Sequence, residues 1–304
     1  VRKSLAALLI MLGAFFLVLA VLTKFYAGSA LLRTPLDVDS TTKLSGTATL
    51  GTEPEFPVKA TSITRADAEK SDGNVVVFEN SSCLVKDEGD PPNCVPADDP
   101  EERLVSASTD KFATDRKTAI AVQDRKYVSA DAGEHKGLIN KFPFQTKKQA
   151  YPYWDGTADK ALNAVYKGTT KVEGVETYRF TVQASDEPVE LTEGVQGTYS
   201  GETNLYVEPL TGAIINQTSE QSRLTDAGEP FLALNLAFTD AQVKQSAEDA
   251  QDNVDMLNLV RNTVPLISLI LGVLLLVPGI LLWRRDSRTE SGATIKADHR
   301  LVKA

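Results

Sequence analysis

Histidine and cysteine are almost missing from this chain of 304 residues, which has two of each. The scarcity excludes a histidine-rich metal centre. A redox C-x-x-C motif is absent too, since Cys83 and Cys94 are separated by LVKDEGDPPN. There is no G-x-S-x-G nucleophile elbow, no Walker loop and no dinucleotide fingerprint. Paired carboxylates could serve glycoside hydrolysis, but 41 acidic residues make any chosen pair arbitrary. The expectation is a non-enzyme with no catalytic residues, no metal and no cofactor. Positive charge is also short. The chain carries −9 overall. Setting aside +3 in the first 24 residues and +3 in the tail from Arg284 leaves −15 between them, which argues against a nucleic-acid partner.

Two stretches lack charge altogether. Asn262 to Trp283, NTVPLISLILGVLLLVPGILLW, runs 22 residues before Arg284 and Arg285. At about 1.5 Å per residue it reaches about 33 Å, enough for a hydrocarbon core of roughly 30 Å. Ser4 to Thr23 is a second such run, preceded by Arg2 and Lys3. A signal peptide is the competing reading there, with Gly28-Ser29-Ala30 imitating a cleavage site. The apolar run is long for that, so an uncleaved helix is expected. Basic residues flank both runs on one side. That predicts a protein of the cytoplasmic (inner) membrane with two spans, both termini cytoplasmic and the large domain outside.

The organisation expected is an N-terminal transmembrane helix (1–26), an extracytoplasmic β-rich domain (27–245), a helical stalk (246–261), a second transmembrane helix (262–283) and a basic cytoplasmic tail (284–304). In an oxidising compartment Cys83 and Cys94 most simply form a disulfide.

Between the helices the sequence alternates with period two. Thr41 to Leu50, Val58 to Arg65 and Val75 to Phe78 read as strands, and Leu104 to Phe112 pairs with Thr118 to Val122 as a hairpin. Val165 to Val172 and Val175 to Val182 flank a Glu173-Gly174 turn. Thr203 to Val207, Ala213 to Leu224 and Phe231 to Thr239 complete the series. Without βαβ spacing, this predicts a mainly β ectodomain, an antiparallel meander forming a curved sheet or barrel. Around Asp159 to Ala164 a short helical segment is expected, with Asp155 capping it or forming a turn. Val243, Ala247, Ala250, Val254, Leu257 and Val260 follow helical steps into the stalk.

The densest aromatic stretch is GLINKFPFQTKKQAYPYWDG, with Phe142, Phe144, Tyr151, Tyr153 and Trp154. These rings either plug one end of the core or form a ligand-cavity mouth together with Tyr178, Phe180, Leu234, Leu236 and Phe238.

PLDVDSTTKLSGTATL, FATDRKTAIAV, GLINKFPFQTKKQAYPYWD, VEGVETYRF and YVEPLTGAII together resemble an actinobacterial envelope family labelled porin PorA-like. The resemblance covers nearly the whole chain, both helices included. It implies a membrane-anchored protein facing the envelope space, linked to envelope lipid and lipoglycan assembly. From the residues, the leading expectation is an ectodomain that binds or presents a membrane lipid or glycolipid. The alternative is a scaffold or regulatory subunit of an envelope-synthesis or transport complex. A pore is the reading least expected. An outer-membrane barrel needs a lipid-facing band on its strands, whereas this chain concentrates its hydrophobicity in two helices.

Overall fold

The computed structural model describes residues 2–27, 30–129 and 132–301, with two compact units: 1–32 with 254–304, and 33–253.

In the first unit, α1 (Arg2–Leu22) continues through a π-helical turn at Thr23–Ala27. A second π-helical turn, Leu259–Thr263, leads into α3 (Val264–Leu301), which carries Pro278 internally. Both helices are long and apolar enough to cross a membrane. They pack together closely, as their small residues allow.

The second unit is one ten-stranded antiparallel sheet. Its strands are β1 (Asp39–Leu50), β2 (Phe56–Asp67), β3 (Val75–Lys86), β4 (Leu104–Asp115), β5 (Tyr151–Asp155), β6 (Lys160–Val172), β7 (Val175–Thr192), β8 (Val195–Val207), β9 (Ile214–Thr225) and β10 (Pro230–Phe238). The spatial order is β4-β3-β2-β1-β10-β9-β8-β7-β6-β5. Two meanders are thus joined where the first strand meets the last, with Ala48 opposite Leu234 and Gly46 opposite Leu236. No side chain fits at Gly46: a Cβ there would lie 1.8 Å from the Asn235 carbonyl oxygen. The sheet curls into a half-barrel, as the alternation predicts. The helix α2 (Asp240–Asn258) lays Ala247 and Ala250 on Val175 and Ile215.

The turn chemistry is as expected at Glu173-Gly174, where both residues have positive φ (48° and 83°). Three local expectations differ. β7 and β8 run on through Gln183 to Ser200, a stretch too polar to show alternation, and Pro188 is accommodated beside a bulge between Ala184 and Glu187. The segment Lys160 to Ala164 is strand, not helix. Asp155 forms a turn before it, its Oδ1 accepting from the Thr157 and Ala158 amides at 2.9 and 3.0 Å. Thr118 to Val122 contributes only isolated bridges, among them Thr114 to Ala121.

Cys83 and Cys94 form the expected disulfide, with Cys83 buried beside Val85, Val95 and Leu104. The segment that follows, between Cys94 and β4, is held by a two-pronged ion pair. Arg103 Nη2 donates to Asp99 Oδ1 at 2.7 Å and Nε to Oδ2 at 2.9 Å. That guanidinium holds the Asp99 carboxyl down at about 2. Cys83→Ala/Cys94→Ala is expected to destabilise the sheet unit by about 2.5 to 3 kcal/mol, read as a lower denaturation midpoint.

Candidate functional site

Large exposed apolar side chains gather on the helices. Among the described residues of 33–253, only Ile120, Val165 and Val195 belong to that class. On α1 and α3 they include Met11, Phe15, Val18, Leu266, Leu274 and Leu281. Among the described residues the strands therefore present no continuous apolar band outward, and the helices present a wide one.

Between the two helices runs a seam of small residues. Ala6, Gly13 and Ala20 recur every seven positions on α1 and are buried; Ser268, Gly272 and Gly279 are buried on α3. The approach is close enough that a Cβ at Gly13 would lie 2.6 Å from the Leu276 backbone nitrogen. One at Gly279 would meet Ile10 at 2.9 Å. Where the pair ends, Lys24 Nζ donates to the Arg261 carbonyl (3.3 Å) and Asn262 Oδ1 (3.4 Å). A seam this tight holds no aqueous path, so one pair alone encloses none.

In the sheet unit the predicted aromatic residues divide among four places. Phe142 is fully buried and packs on Phe180, Tyr151 and Tyr153, with centroids 4.6, 5.6 and 5.8 Å away. Tyr178 packs against the same cluster. Trp154 packs instead against His135, the rings tilted by 52°, and Phe144 lies 3.8 Å beneath Lys141 Nζ. Burial brings the Lys141 ammonium down to about 7, against the pull of the Glu208 carboxylate. Leu234 and Leu236 belong to another apolar cluster, with Ala48, Val58 and Leu84. Phe238, half-buried, pairs with Leu44.

The segment carrying Phe142 works as a plug. It starts from β5, where Leu138 N donates to the Pro152 carbonyl at 2.8 Å. It reaches the β8–β9 turn, where Phe142 N donates to the Gly212 carbonyl at 2.9 Å and Thr146 N to the Pro209 carbonyl at 2.8 Å. Gly212 has φ 75°, and a Cβ there would strike the Phe142 carbonyl oxygen at 2.1 Å, so only glycine lets the plug dock.

A feature missed in the sequence separates the two apolar clusters. Residues directly opposite across a ladder share a face. Leu232, Leu234 and Leu236 oppose Arg223, Gln221 and Ser219 on β9, and these oppose Tyr199, Gly201 and Thr203 on β8. The inward face of β9 is thus a polar row beside the leucines of β10, partly satisfied by itself. Thr203 and Ser219 hydroxyls lie 3.0 Å apart, and Gln221 Nε2 donates to Ser219 Oγ at 3.1 Å. Arg223 Nη2 donates to Thr157 Oγ1 at 3.3 Å, while its Nε is buried without a partner. Burial lowers the Arg223 guanidinium from its usual value. Over these same strands an open groove of about 480 Å³ is lined by Thr47, Glu55, Ser200, Glu202, Glu220 and Asn235, among others. There Glu202 and Glu220 are direct cross-strand neighbours of like charge. Of the ten predicted cavity residues only Leu234 lines it. Among the described residues no cluster of metal-ligating side chains occurs.

Comparison with known proteins places these features. A protein named Porin PorA from Corynebacterium resistens is 26% identical over 212 residues, 65% of this chain and 46% of that one. Another Porin PorA, from Corynebacterium amycolatum, is 24% identical over 126 residues, 38% of this chain and 30% of that one. The match thus spans less than half the length of either relative. Among solved structures, a LolA superfamily protein from Nitrosomonas europaea covers 70% of this chain and 89% of its own at 8% identity. Its TM-score of 0.17 is too low to relate the folds. The relatives' name overturns the expectation of a lipid- or glycolipid-presenting domain and favours the pore, the reading set aside at first. The mistake was to require an apolar outward band on the strands of any porin, when the large exposed apolar side chains here gather on the helices. The profile of the family described as Porin PorA matches residues 5 to 281, both apolar helices and every strand included, and the chain belongs to that family.

Proposed function

We propose that the protein is a non-enzymatic, channel-forming protein of the cell envelope whose ion path is bounded by helix pairs from several copies. The observation that carries this reading is the family match from residue 5 to 281, which takes in both helices. The distribution of surface supports the division of labour: the helices are apolar outward, while the sheet is polar outward. Because one α1–α3 pair is sealed by its small-residue seam, assembly supplies the opening. The basic flanks orient both helices with their termini on the cytoplasmic side. The sheet unit then stands outside, tethered at both ends, and its −15 surplus attracts cations rather than anions to that side of the membrane.

Proteoliposomes loaded with a small hydrophilic cation test this. Reconstituted protein is expected to release the cation at a rate rising more steeply than linearly with protein-to-lipid ratio, as assembly requires. No release above protein-free vesicles would defeat the proposal.

A further inference from the structure

The two edges of the ten-stranded sheet, β4 and β5, meet at one level through single bridges. Thr114 on β4 bridges to Ala121, Ile120 to Leu138, and Leu138 to Tyr153 on β5. Backbone hydrogen bonds follow the same line. Val122 N donates to the Ala113 carbonyl (2.8 Å), Ala121 N to Gly137 (2.8 Å) and Trp154 N to Leu138 (2.7 Å). This seam is thin compared with the strand ladders elsewhere in the sheet, and a buried side chain spans it.

That side chain is His135, 4% exposed. Its ring lies between Phe112 of β4, 5.7 Å away, and Trp154 of β5, 5.0 Å away. Nε2 lies 2.8 Å from Asp110 Oδ2 on β4, and Nδ1 lies 3.0 Å from the Gly133 carbonyl. A carboxylate and a carbonyl only accept, so both ring nitrogens must donate. Only the imidazolium does that. Gln123 Nε2 holds the His135 carbonyl at 2.8 Å, fixing the backbone beneath the ring. Other charges around it are Asp159 in the β5–β6 turn, which adds a favourable field, and Glu134 and Lys136 in its own loop, paired at 3.7 Å.

We propose that His135 is a proton-controlled clasp: as the imidazolium it ties β4 to β5 and keeps the half-barrel's edges together, and on losing its proton it releases the seam. The neutral ring keeps its remaining proton toward the Asp110 carboxylate, the stronger acceptor, and turns a lone pair on the Gly133 carbonyl; the ring loses its anchor in the loop, and the bond to β4 loses its ionic component. Burial alone favours the neutral ring. The hydrogen bond and charge of Asp110 outweigh it and raise the pKa above the ordinary 6.5. A raised value means that the stabilisation is complete below the ordinary pKa and fades as pH climbs through the raised one. The clasp is therefore closed in acid and loosens in mild alkali. Nothing in this depends on whether the chain conducts.

Trp154 reports on the clasp directly, because a cationic imidazole beside an indole quenches its emission. The chain has two tryptophans, so Trp283→Phe leaves Trp154 as the single reporter in the full-length protein. Its fluorescence is expected to rise with pH in one transition centred above 6.5, and Asp110→Asn should move that centre downward. Across the same transition the amide protection of Leu138 and Trp154 should fall several-fold relative to that of β8, after correction for intrinsic exchange. Emission independent of pH between about pH 5 and about pH 9 would overturn the proposal. So would a transition that leaves the relative protection unchanged. His135→Phe, which keeps a ring but has no proton to lose, should abolish both responses.

Discussion

Phe142→Ala is expected to destabilise the sheet unit by about 3–5 kcal/mol. The ring is fully buried and touches Phe180, Tyr151 and Tyr153 from three sides. Its neighbours are held by strands β5 and β7, and its own backbone is pinned to Gly212, so the site has little freedom to collapse around a lost ring. Cavity cost therefore adds to the lost transfer energy. For a unit of this size the change corresponds to a melting shift of roughly 6–20 °C. Thermal unfolding followed by far-UV circular dichroism in detergent checks it. A shift of only a degree or two would mean that the plug is dispensable and that the core lies elsewhere. Phe144→Ala is the contrast: its ring is half-buried under Lys141 and stands outside the cluster, so its loss should cost much less.

Gly13→Ile is expected to abolish most of the cation release while leaving the unfolding of the sheet unit unchanged. Any Cβ at this position approaches the Leu276 backbone to within 2.6 Å, and backbone cannot swing aside as a flexible side chain can. The helices must separate or rotate, at about 1–3 kcal/mol or more. The faces they then offer to further copies no longer match. Gly13→Ala should give an intermediate loss. Unaltered release in Gly13→Ile, with the variant inserted at normal yield, would show that the helix pair does not bound the path.

The helices and most hairpins were legible because their signals are local. A charge-free run of 20 residues and a Glu-Gly turn between alternating segments need no knowledge of the rest of the chain. Gln183 to Ser200 was not legible. Its strands are too polar for alternation to show, and they form because β7 and β8 continue a ladder already registered at Phe180 and Leu205. The pairing of β1 with β10 joins residues nearly two hundred positions apart, and the bridges at Ile120, Ala121 and Leu138 are single-residue events without periodicity. His135 carried no signal in the sequence beyond its rarity, since its meaning comes from Asp110, Phe112 and Trp154 arriving from different segments. The aromatic stretch was legible as a cluster, and Phe142 does anchor a filled core. Nothing local announced that Trp154 would leave that cluster for His135. Function was not legible because two apolar helices look the same in sequence whether they anchor a domain or assemble with further copies.

The central claim is that assembled copies of this chain conduct ions through the membrane. Planar-bilayer recording on the purified full-length protein tests it most directly. The account predicts discrete conductance steps, with a reversal potential in a salt gradient that shows preference for the cation. A baseline without steps at protein loads that insert both helices would contradict it, and steps that prefer anions would contradict the role given to the acidic sheet unit.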